Sequence, residues 1–585
     1  MMMCFAQLLC FVGAASAAFV DNLNYLSPSR HHASLGVSIS RVAKRTYTTP
    51  HWDPNHLNFT HGVASGDPSD DSVILWTRAA PTSDNDGSNV TVSGYVPLYD
   101  HSTEEYVLSS NAPVCVAWEI GTSKSLEHVV DSGTAYTSSD IDYTIKVEAK
   151  KLKSFTTYSF GFFNAYGNSV RKDSVDYVVH LGDYIYEYAN GDYGWGDAFG
   201  RIPLPNREIH TLYDYRKRFA TYRTDLDLIA SHQAFPWIAV WDDHEVADNT
   251  YRDGSSHLNN TEESFIEDGG VSVDQRKMNA VRAYFEWMPI RQVDMDDNLR
   301  IWRNFQFGNL FDLVMLDTRQ YDRSITDVYW NTHYLSDIYN DASRSLMGPR
   351  QEAWFYRTLQ DSAKRGTTWR VVGNQIVFSR INSSIATGSQ TPFNYDQWDG
   401  YQANRNRTFH TLYENKIGNN IFLAGDSHAS WVSDLVWLDE HPYNPATGDG
   451  SLGVEFAGSA VSSPSPAGQN VTLQAAQLGS EIFVATNAEL QWQDFYYRGY
   501  YELSISHERV NAAYFGVPTT TVRSGAEISL ANFTVLAGAN KLHREHGAAA
   551  LGGVVEAGSL KGGKVVPKTL ISDTETGEWH SYQGN

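Results

Sequence analysis

Cysteine is almost missing from this chain. Of 585 residues only three are Cys. Cys4 and Cys10 lie in a leader-like N-terminal segment, so Cys115 alone is left and no internal disulfide can staple the mature protein. Stability must therefore come from burial. The length allows it, because the chain exceeds the size at which one core keeps growing, and two or more domains are expected. Positive charge is scarce as well. Lys plus Arg number 45 against 68 Asp plus Glu, a net charge of −23 that repels a nucleic-acid backbone, so no nucleic-acid-binding surface is expected. Long apolar runs are also lacking. The opening MMMCFAQLLCFVGAASAAFV has a short apolar stretch followed by Ala15-Ser16-Ala17, which suits signal-peptidase cleavage although a basic n-region is absent. It turns polar too soon for the roughly 20 residues that a membrane span needs, and no later segment reaches that length. Residues 1–17 are thus read as a signal peptide of a secreted, extracellular protein. No Gly-x-Ser-x-Gly elbow surrounds Ser462 and Ser463, which argues against a serine hydrolase.

What is present fits a soluble globular protein, with 42% hydrophobic and 19% charged residues. Asn-x-Ser/Thr sequons at Asn58, Asn89, Asn259, Asn382, Asn406, Asn470 and Asn532 are acceptor sites for glycosylation in a secreted protein. Residues 18–54 are polar and basic without periodicity, as in a propeptide or linker. From 55 to 160 the text is all strands (SVILWTR, VTVSGYV, VCVAWEI, YTIKVEA) separated by Gly, Asp, Asn and Ser, which predicts a small β-sandwich domain. From 161 to 545, apolar strands such as VDYVV, WIAVW, FDLVML, TWRVVG and NIFLAG alternate with amphipathic helices, which predicts an α/β core. The Gly- and Ala-rich residues 546–585 are expected to form a flexible tail. The aromatic wealth, 34 Tyr and 16 Trp, is assigned mostly to core and domain interface.

Three of the predicted strands end in the same kind of chemistry. VVHLGD ends at Asp183, with Tyr186 three places on. IAVWDDHE ends at Asp242, Asp243, His244 and Glu245, and IFLAGDSH at Asp426 and His428. Ligands of open α/β sheets bind beyond the carboxyl ends of the strands, so these side chains are expected to converge. Converging carboxylates repel one another unless cations lie between them, and a metal centre resolves the conflict. Carboxylates, a histidine and a phenolate favour hard ions, and Tyr186 in particular suits ferric iron. Arg319 in LDTRQY could clamp a phosphate bidentately or pair with Asp317 or Asp322 in a structural ion pair, and the sequence leaves both open.

The blocks HGVASGDPSDDSVILWTR, HLGDYIYEY, WDDHEVADN, MLDTRQY, VVGNQIVFSRI and LAGDSHASW together resemble the PhoD-like alkaline phosphatases, within the calcineurin-like metallophosphatase superfamily. The resemblance spans roughly residues 55 to 540. It implies an N-terminal β-sandwich, a catalytic α/β/β/α domain of two packed sheets flanked by helices, and a centre of Fe³⁺ and Ca²⁺. It also implies hydrolysis of phosphate monoesters or, on the same centre, of phosphodiesters in the manner of a phospholipase D. Asp183 then bridges the metals and Tyr186 binds iron. Asp243 takes the place of the superfamily's metal-binding Asn, and His244 that of its catalytic His. Asp426 replaces the first His of the Gly-His-x-His block as a calcium ligand, His428 is the second, on iron, and Asn374 occupies a further ligand position. Metal-held water or hydroxide attacks phosphorus in line while His244 protonates the leaving oxygen; a purely orienting role for His244, holding Asp243, is the alternative.

One departure matters. Family members place a Ser-Cys dipeptide at the end of the first catalytic strand, with the Cys thiolate on iron. Here KSFTTYSF runs directly into GFFNAYGNSVRKDSVDYVVHLGD, so that strand is missing near Ser159 and Phe160, and Cys115 lies in the predicted sandwich instead. A catalytically impaired secreted glycoprotein is therefore a third expectation.

Overall fold

The computed structural model describes residues 21–24, 57–150 except 60, 70, 82–113, 122–127 and 139–140, and 164–582 except 198–199, 268–269, 295–296, 574–575 and 577–578. The predicted signal peptide, most of the linker, Asn89 and the segment around Ser159 and Phe160 lie outside the described residues. The chain divides into two compact units. One holds residues up to His180, Tyr184–Ala239 and Asn260–Ile301, and the other holds Leu181–Asp183, Val240–Asn259 and Trp302 onward.

The first unit is built on a five-stranded mixed sheet. Its strands are β1 (Val63–Gly66), β2 (Val73–Arg78), β5 (Thr144–Ala149), β6 (Val178–His180) and β7 (Pro236–Ala239), in the order β5-β2-β1-β7-β6. β1, β7 and β6 run parallel, while β1-β2 and β2-β5 are antiparallel. The ribbon β3 (Val114–Gly121) and β4 (Val129–Thr137) pairs antiparallel apart from this sheet. Val114, Val116, Trp118 and Ile120 of β3 are buried with Val73, Leu75, Ile145 and Val147 in one cluster, the period-2 pattern of a strand with one face on the core. The strands expected to form a self-contained sandwich are thus shared, because β1 also pairs with β7, 171 residues further along the chain, through Ser65 and Pro236.

Helices α1 (Asn164–Lys172), α2 (Leu212–Tyr222), α3 (Leu226–Ala234) and α4 (Val273–Trp287) belong to the same unit. The sequence sets their ends. At α2, Thr211 and Asp214 form a reciprocal capping box, each side chain accepting the other's backbone N–H at 3.2 and 3.1 Å. Arg216 forks onto both carboxylate oxygens of Glu286 at 2.6 and 2.7 Å, joining α2 to α4.

The second unit carries an eight-stranded sheet. Its strands are β8 (Arg303–Phe307), β9 (Phe311–Met315), β10 (Trp369–Gly373), β11 (Asn420–Ala424), β12 (Ser430–Leu435), β13 (Gly453–Ala457), β14 (Leu490–Asp494) and β18 (Ser559–Leu560), in the order β8-β9-β10-β11-β13-β12-β14-β18. The centre, β9-β10-β11-β13, is parallel. Every residue of β10 and β11 is buried, which explains their unbroken apolar runs. The crossover helices are α5 (Gly348–Arg365), with Pro in its first turn and left-handed Gly366 at its C-cap, and α6 (Gln402–Glu414). Helix α7 (Leu473–Thr486) leads into β14, and β15 (Arg498–Ile505), β16 (Arg509–Val517) and β17 (Ile528–Leu536) form an antiparallel sheet of their own.

The Gly/Ala-rich end, expected as a flexible tail, packs into the fold where it is described between residues 548 and 560. Ala548, Ala549 and Ala550 are buried, and Ser559 and Leu560 pair with Gln493 and Trp492 as the last strand of the large sheet. Small residues read as low complexity because they carry little side chain, yet that same property lets backbone pack closely.

Candidate metal centre

All the groups described next, except Tyr186 and Tyr193, belong to the second unit. Asp317 and Arg319 follow β9, Asn374 follows β10, and Asp426 and His428 follow β11, at the carboxyl ends of three adjacent parallel strands. Asp183 and Asp242–Glu245 enter from the segments that follow β6 and β7.

Two groups of side chains are close enough to share cations. Asp183, Asp243 and His244 bring ligand atoms within 4.8 Å of one another, and so do Asp242, Asp243 and Asp426. Asp243 is common to both. His428 Nε2 lies 3.6 Å from Asp183 Oδ2, while its Nδ1 is 3.0 Å from the carbonyl of Pro464. Donation from Nδ1 to that carbonyl puts the lone pair of the ring on Nε2, the usual arrangement of a ligating histidine.

The backbone makes room for this convergence at some cost. Asp183, Asp426 and His428 have φ of 57°, 60° and 54°, left-handed values that cost a non-glycine residue about 1–3 kcal/mol and collect at functional sites. Gly182, at φ 122°, explains the glycine of the Gly-Asp pair, because a Cβ there would meet Asp242 Cβ at 2.2 Å. Glu245 fixes the two ends relative to each other: its Oε2 accepts the backbone N–H of Asp242 at 2.6 Å and of Asp183 at 3.2 Å. The Asp243 carboxylate accepts from His244 N at 2.9 Å and Asn249 N at 2.7 Å.

Arg319 is fully buried among carboxylates. Its guanidinium bonds Asp242, Asp396 and Asp426 and lies 3.9 Å from Asp243. Asp317, one of the two partners expected from the sequence, accepts only its backbone N–H, at 2.9 Å. Arg323 also pairs with Asp396, at 3.0 Å, and Gln397 donates to Asp426. Burial sets the electrostatics. It pushes Asp242 well above the carboxylate range against the pull of Arg319, aided by Asp243, Asp426 and Asp183. Asp426 rises to about 6, again mainly through burial. Asp243 is also desolvated, but Arg319, His244 and the Asn249 N–H outweigh this and hold it well below its usual value. Burial drives His428 down to about 4, so it is neutral and able to ligate.

These residues fit cations. Asp242 Oδ2 is buried with no hydrogen-bond partner among the described residues, an expensive state that a cation relieves, and the donors are those of hard ions.

The remaining expected residues are placed as follows. Tyr186 falls in the first unit, where its ring stacks on Tyr193 at 5.6 Å. Both ends of the Asn374 amide are engaged inside the fold, Oδ1 by Trp398 Nε1 at 2.9 Å and Nδ2 by the Leu423 carbonyl at 3.1 Å. Beside it, Gln375 bonds Thr318 and the carbonyls of Trp241 and Leu316, holding neighbouring strand ends together. Sequence reasoning did not assign roles to Asp242, Glu245, Asp396 and Gln397. The first two were visible in the WDDHE block. Asp396 and Gln397 lie in the loop NYDQW, which follows no strand and carries no motif spacing.

The family model described as PhoD-like phosphatase matches residues 152–514. The chain belongs to the PhoD-like phosphatase family. A second model, the N-terminal domain of PhoD-like phosphatases, matches residues 44–174. Among curated proteins, alkaline phosphatase D of Bacillus subtilis (strain 168) is 30% identical over 540 residues, covering 85% of this chain and 84% of the relative. A solved structure of PhoD superposes with a TM-score of 0.65 at 27% identity, covering 88% of this chain and 95% of that one. This PhoD-like phosphatase is accordingly a phosphoric ester hydrolase with a mixed α/β fold of several sheets, and its acidic clusters are suited to metal.

Proposed function

We propose that this PhoD-like phosphatase is a secreted, metal-dependent alkaline phosphatase that releases phosphate from monoesters, with Fe³⁺ and Ca²⁺ as its ions. The observation that carries the reading is the convergence of Asp183, Asp242, Asp243, His244 and Asp426 at one edge of the large sheet, with a buried Asp242 oxygen that has no hydrogen-bond partner among the described residues. Asp183, Asp243 and His428 would hold one ion, and Asp242, Asp243 and Asp426 the other. Tyr186 is carried as an iron ligand on the resemblance alone. Ions bound there would supply Lewis acidity and would lower the pKa of water at the centre. The chain's own groups do the rest. Glu245 fixes the spacing of Asp183 and Asp242, and Arg319 balances charge from within. His244, with a ring nitrogen in reach of Asp183 and Asp243, protonates the departing oxygen. Secretion rests on the leader and the sequons. Asn58, Asn259, Asn382, Asn470 and Asn532 are exposed, as glycan acceptors must be, and no helix among the described residues is long and apolar enough to cross a membrane.

A second reading, reduced activity, has its own support. β6 is an edge strand of its sheet among the described residues, with Val179 exposed, and Cys115 lies within β3 opposite Tyr136. A strand bearing a thiolate ligand would sit beside β6 in an intact relative. One experiment separates the two: metal content of the purified secreted protein, with phosphate release from p-nitrophenyl phosphate before and after chelation. The phosphatase reading expects hydrolysis that EDTA abolishes and added ions restore. The impaired reading expects less than one iron per chain and little turnover. Hydrolysis indifferent to chelation would overturn the metal centre itself.

A further inference from the structure

The second unit also presents an aromatic feature that the hydrolytic groups do not use. The loop from Thr326 to Asn331 is tied to two carboxylates of the centre. Thr326 Oγ1 donates to Asp396 Oδ1 at 2.7 Å. The Asp327 carbonyl accepts from Asn249 Nδ2 at 2.8 Å, and Asn249 N in turn donates to Asp243. Inside the loop, Asn331 Oδ1 accepts Val328 N at 2.9 Å, Asn331 Nδ2 donates to the Thr326 carbonyl at 2.8 Å, and Asp327 Oδ1 accepts Tyr329 N at 2.9 Å. Thr326, Val328 and Asn331 are buried, so the loop is rigidly pinned beside the centre.

Its tip nevertheless points two large rings outward. Tyr329 is 69% and Trp330 73% exposed, and no ring contact with a described residue covers either. Exposing such apolar area forfeits the stabilisation of burial. Tyr329 also adopts φ 67°, a left-handed conformation that disfavours a bulky residue. Its hydroxyl reaches Asp248 Oδ1 at 3.4 Å, and desolvation at that end together with Asp248, Asp396 and Asp243 raises its pKa, so the phenol is neutral. A pinned, strained loop that offers two exposed ring faces beside the carboxylate cluster is built to be covered by something flat.

We propose that Tyr329 and Trp330 form the leaving-group subsite of the phosphatase and favour monoesters whose alcohol carries a neutral planar ring, such as a phenol or a nucleoside. This rests on the phosphatase reading of the centre. Stacking explains the ring preference, because exposed aromatic faces gain most from a flat apolar partner. The acidic surroundings explain the preference for an uncharged ring over an anionic one, since Asp248 and Asp327 repel a leaving group that carries negative charge.

The test compares phenyl phosphate and a nucleoside 5′-monophosphate with glycerol phosphate as substrates of the holoenzyme, for wild type, Tyr329→Ala, Trp330→Ala and Trp330→Phe. The kcat/KM ratio of ring-bearing to ringless ester is expected to fall about five-fold in each Ala variant, the scale of one aromatic pair, and to recover in Trp330→Phe. In parallel, inhibition constants for phenylphosphonate and methylphosphonate should converge in Trp330→Ala. Unchanged ratios in active variants would overturn the subsite and leave the phosphatase reading intact. A wild-type protein that neither hydrolyses these esters nor binds either phosphonate would overturn the reading of the centre, and the subsite with it.

Discussion

Replacing Arg319 by methionine probes the charge balance on which the centre depends. Five carboxylates (Asp183, Asp242, Asp243, Asp396 and Asp426) face two guanidiniums, Arg319 and Arg323, so full ionisation leaves an excess of three negative charges. Arg319 alone bonds three of the five. Methionine fills similar volume without charge. Removing one partner of a buried ion pair costs about 3–5 kcal/mol, because the carboxylates left behind stay buried. Cations entering the same cluster take over part of that neutralisation, and an ion at 100 times its Kd adds about 2.7 kcal/mol of stability. Urea unfolding in EDTA and again in saturating calcium measures both states. The expected result is a deficit of about 3–5 kcal/mol in EDTA that shrinks by about half with calcium, since the variant's cluster is more negative and binds ions more tightly. An identical deficit in the two conditions would show that Arg319 and the ions do not share the carboxylates.

Gly182→Ala should displace Asp242, with which its Cβ collides at 2.2 Å, and abolish stoichiometric metal uptake while the far-UV spectrum persists; normal metal content would contradict the close approach. His244→Ala should lower kcat about 10²- to 10⁴-fold with bound metal retained, as for loss of a general acid, whereas loss of metal would make it a ligand instead. Lys146 is buried, donating to the Ile290 carbonyl at 3.1 Å, and desolvation brings its pKa from 10.5 down to about 7. The unfolded chain then binds more protons between pH 7 and 10.5, so stability rises with pH across that window. The gain amounts to about 5 kcal/mol at most, and urea midpoints of Lys146→Met should lack this alkaline rise. Matching pH slopes in the two proteins would refute the assignment.

Much of the second unit could be read from the sequence for a physical reason. Strands such as TWRVVG and NIFLAG are buried on both faces, so their composition announces them, and polar residues directly after them stand out. Asp426 and His428 were legible in this way, as was Asp243 within WDDHE. Asp396 was not, because it reaches the centre from a loop whose approach depends on tertiary contacts with Arg319 and Arg323. The sharing of β1 between two sets of strands was equally hidden: Ser65 and Pro236 pair across a separation that local periodicity cannot register. Alternation in β3 was plain, but the sandwich it suggested assumed that neighbouring strands in the text pair only with one another.

The last strand of the large sheet has a consequence for how the protein is made. Ser559 and Leu560 lie against β14, the strand that precedes β15, while the centre's earliest contribution, Asp183, is translated almost 380 residues before them. A ribosome therefore delivers the whole set of ligands while β14 still shows a bare rim, and bare rims invite pairing between nascent copies. Shielding that rim until Ser559 and Leu560 emerge is a demand on the order of folding, and removing them should reveal it as clumping before any loss of turnover.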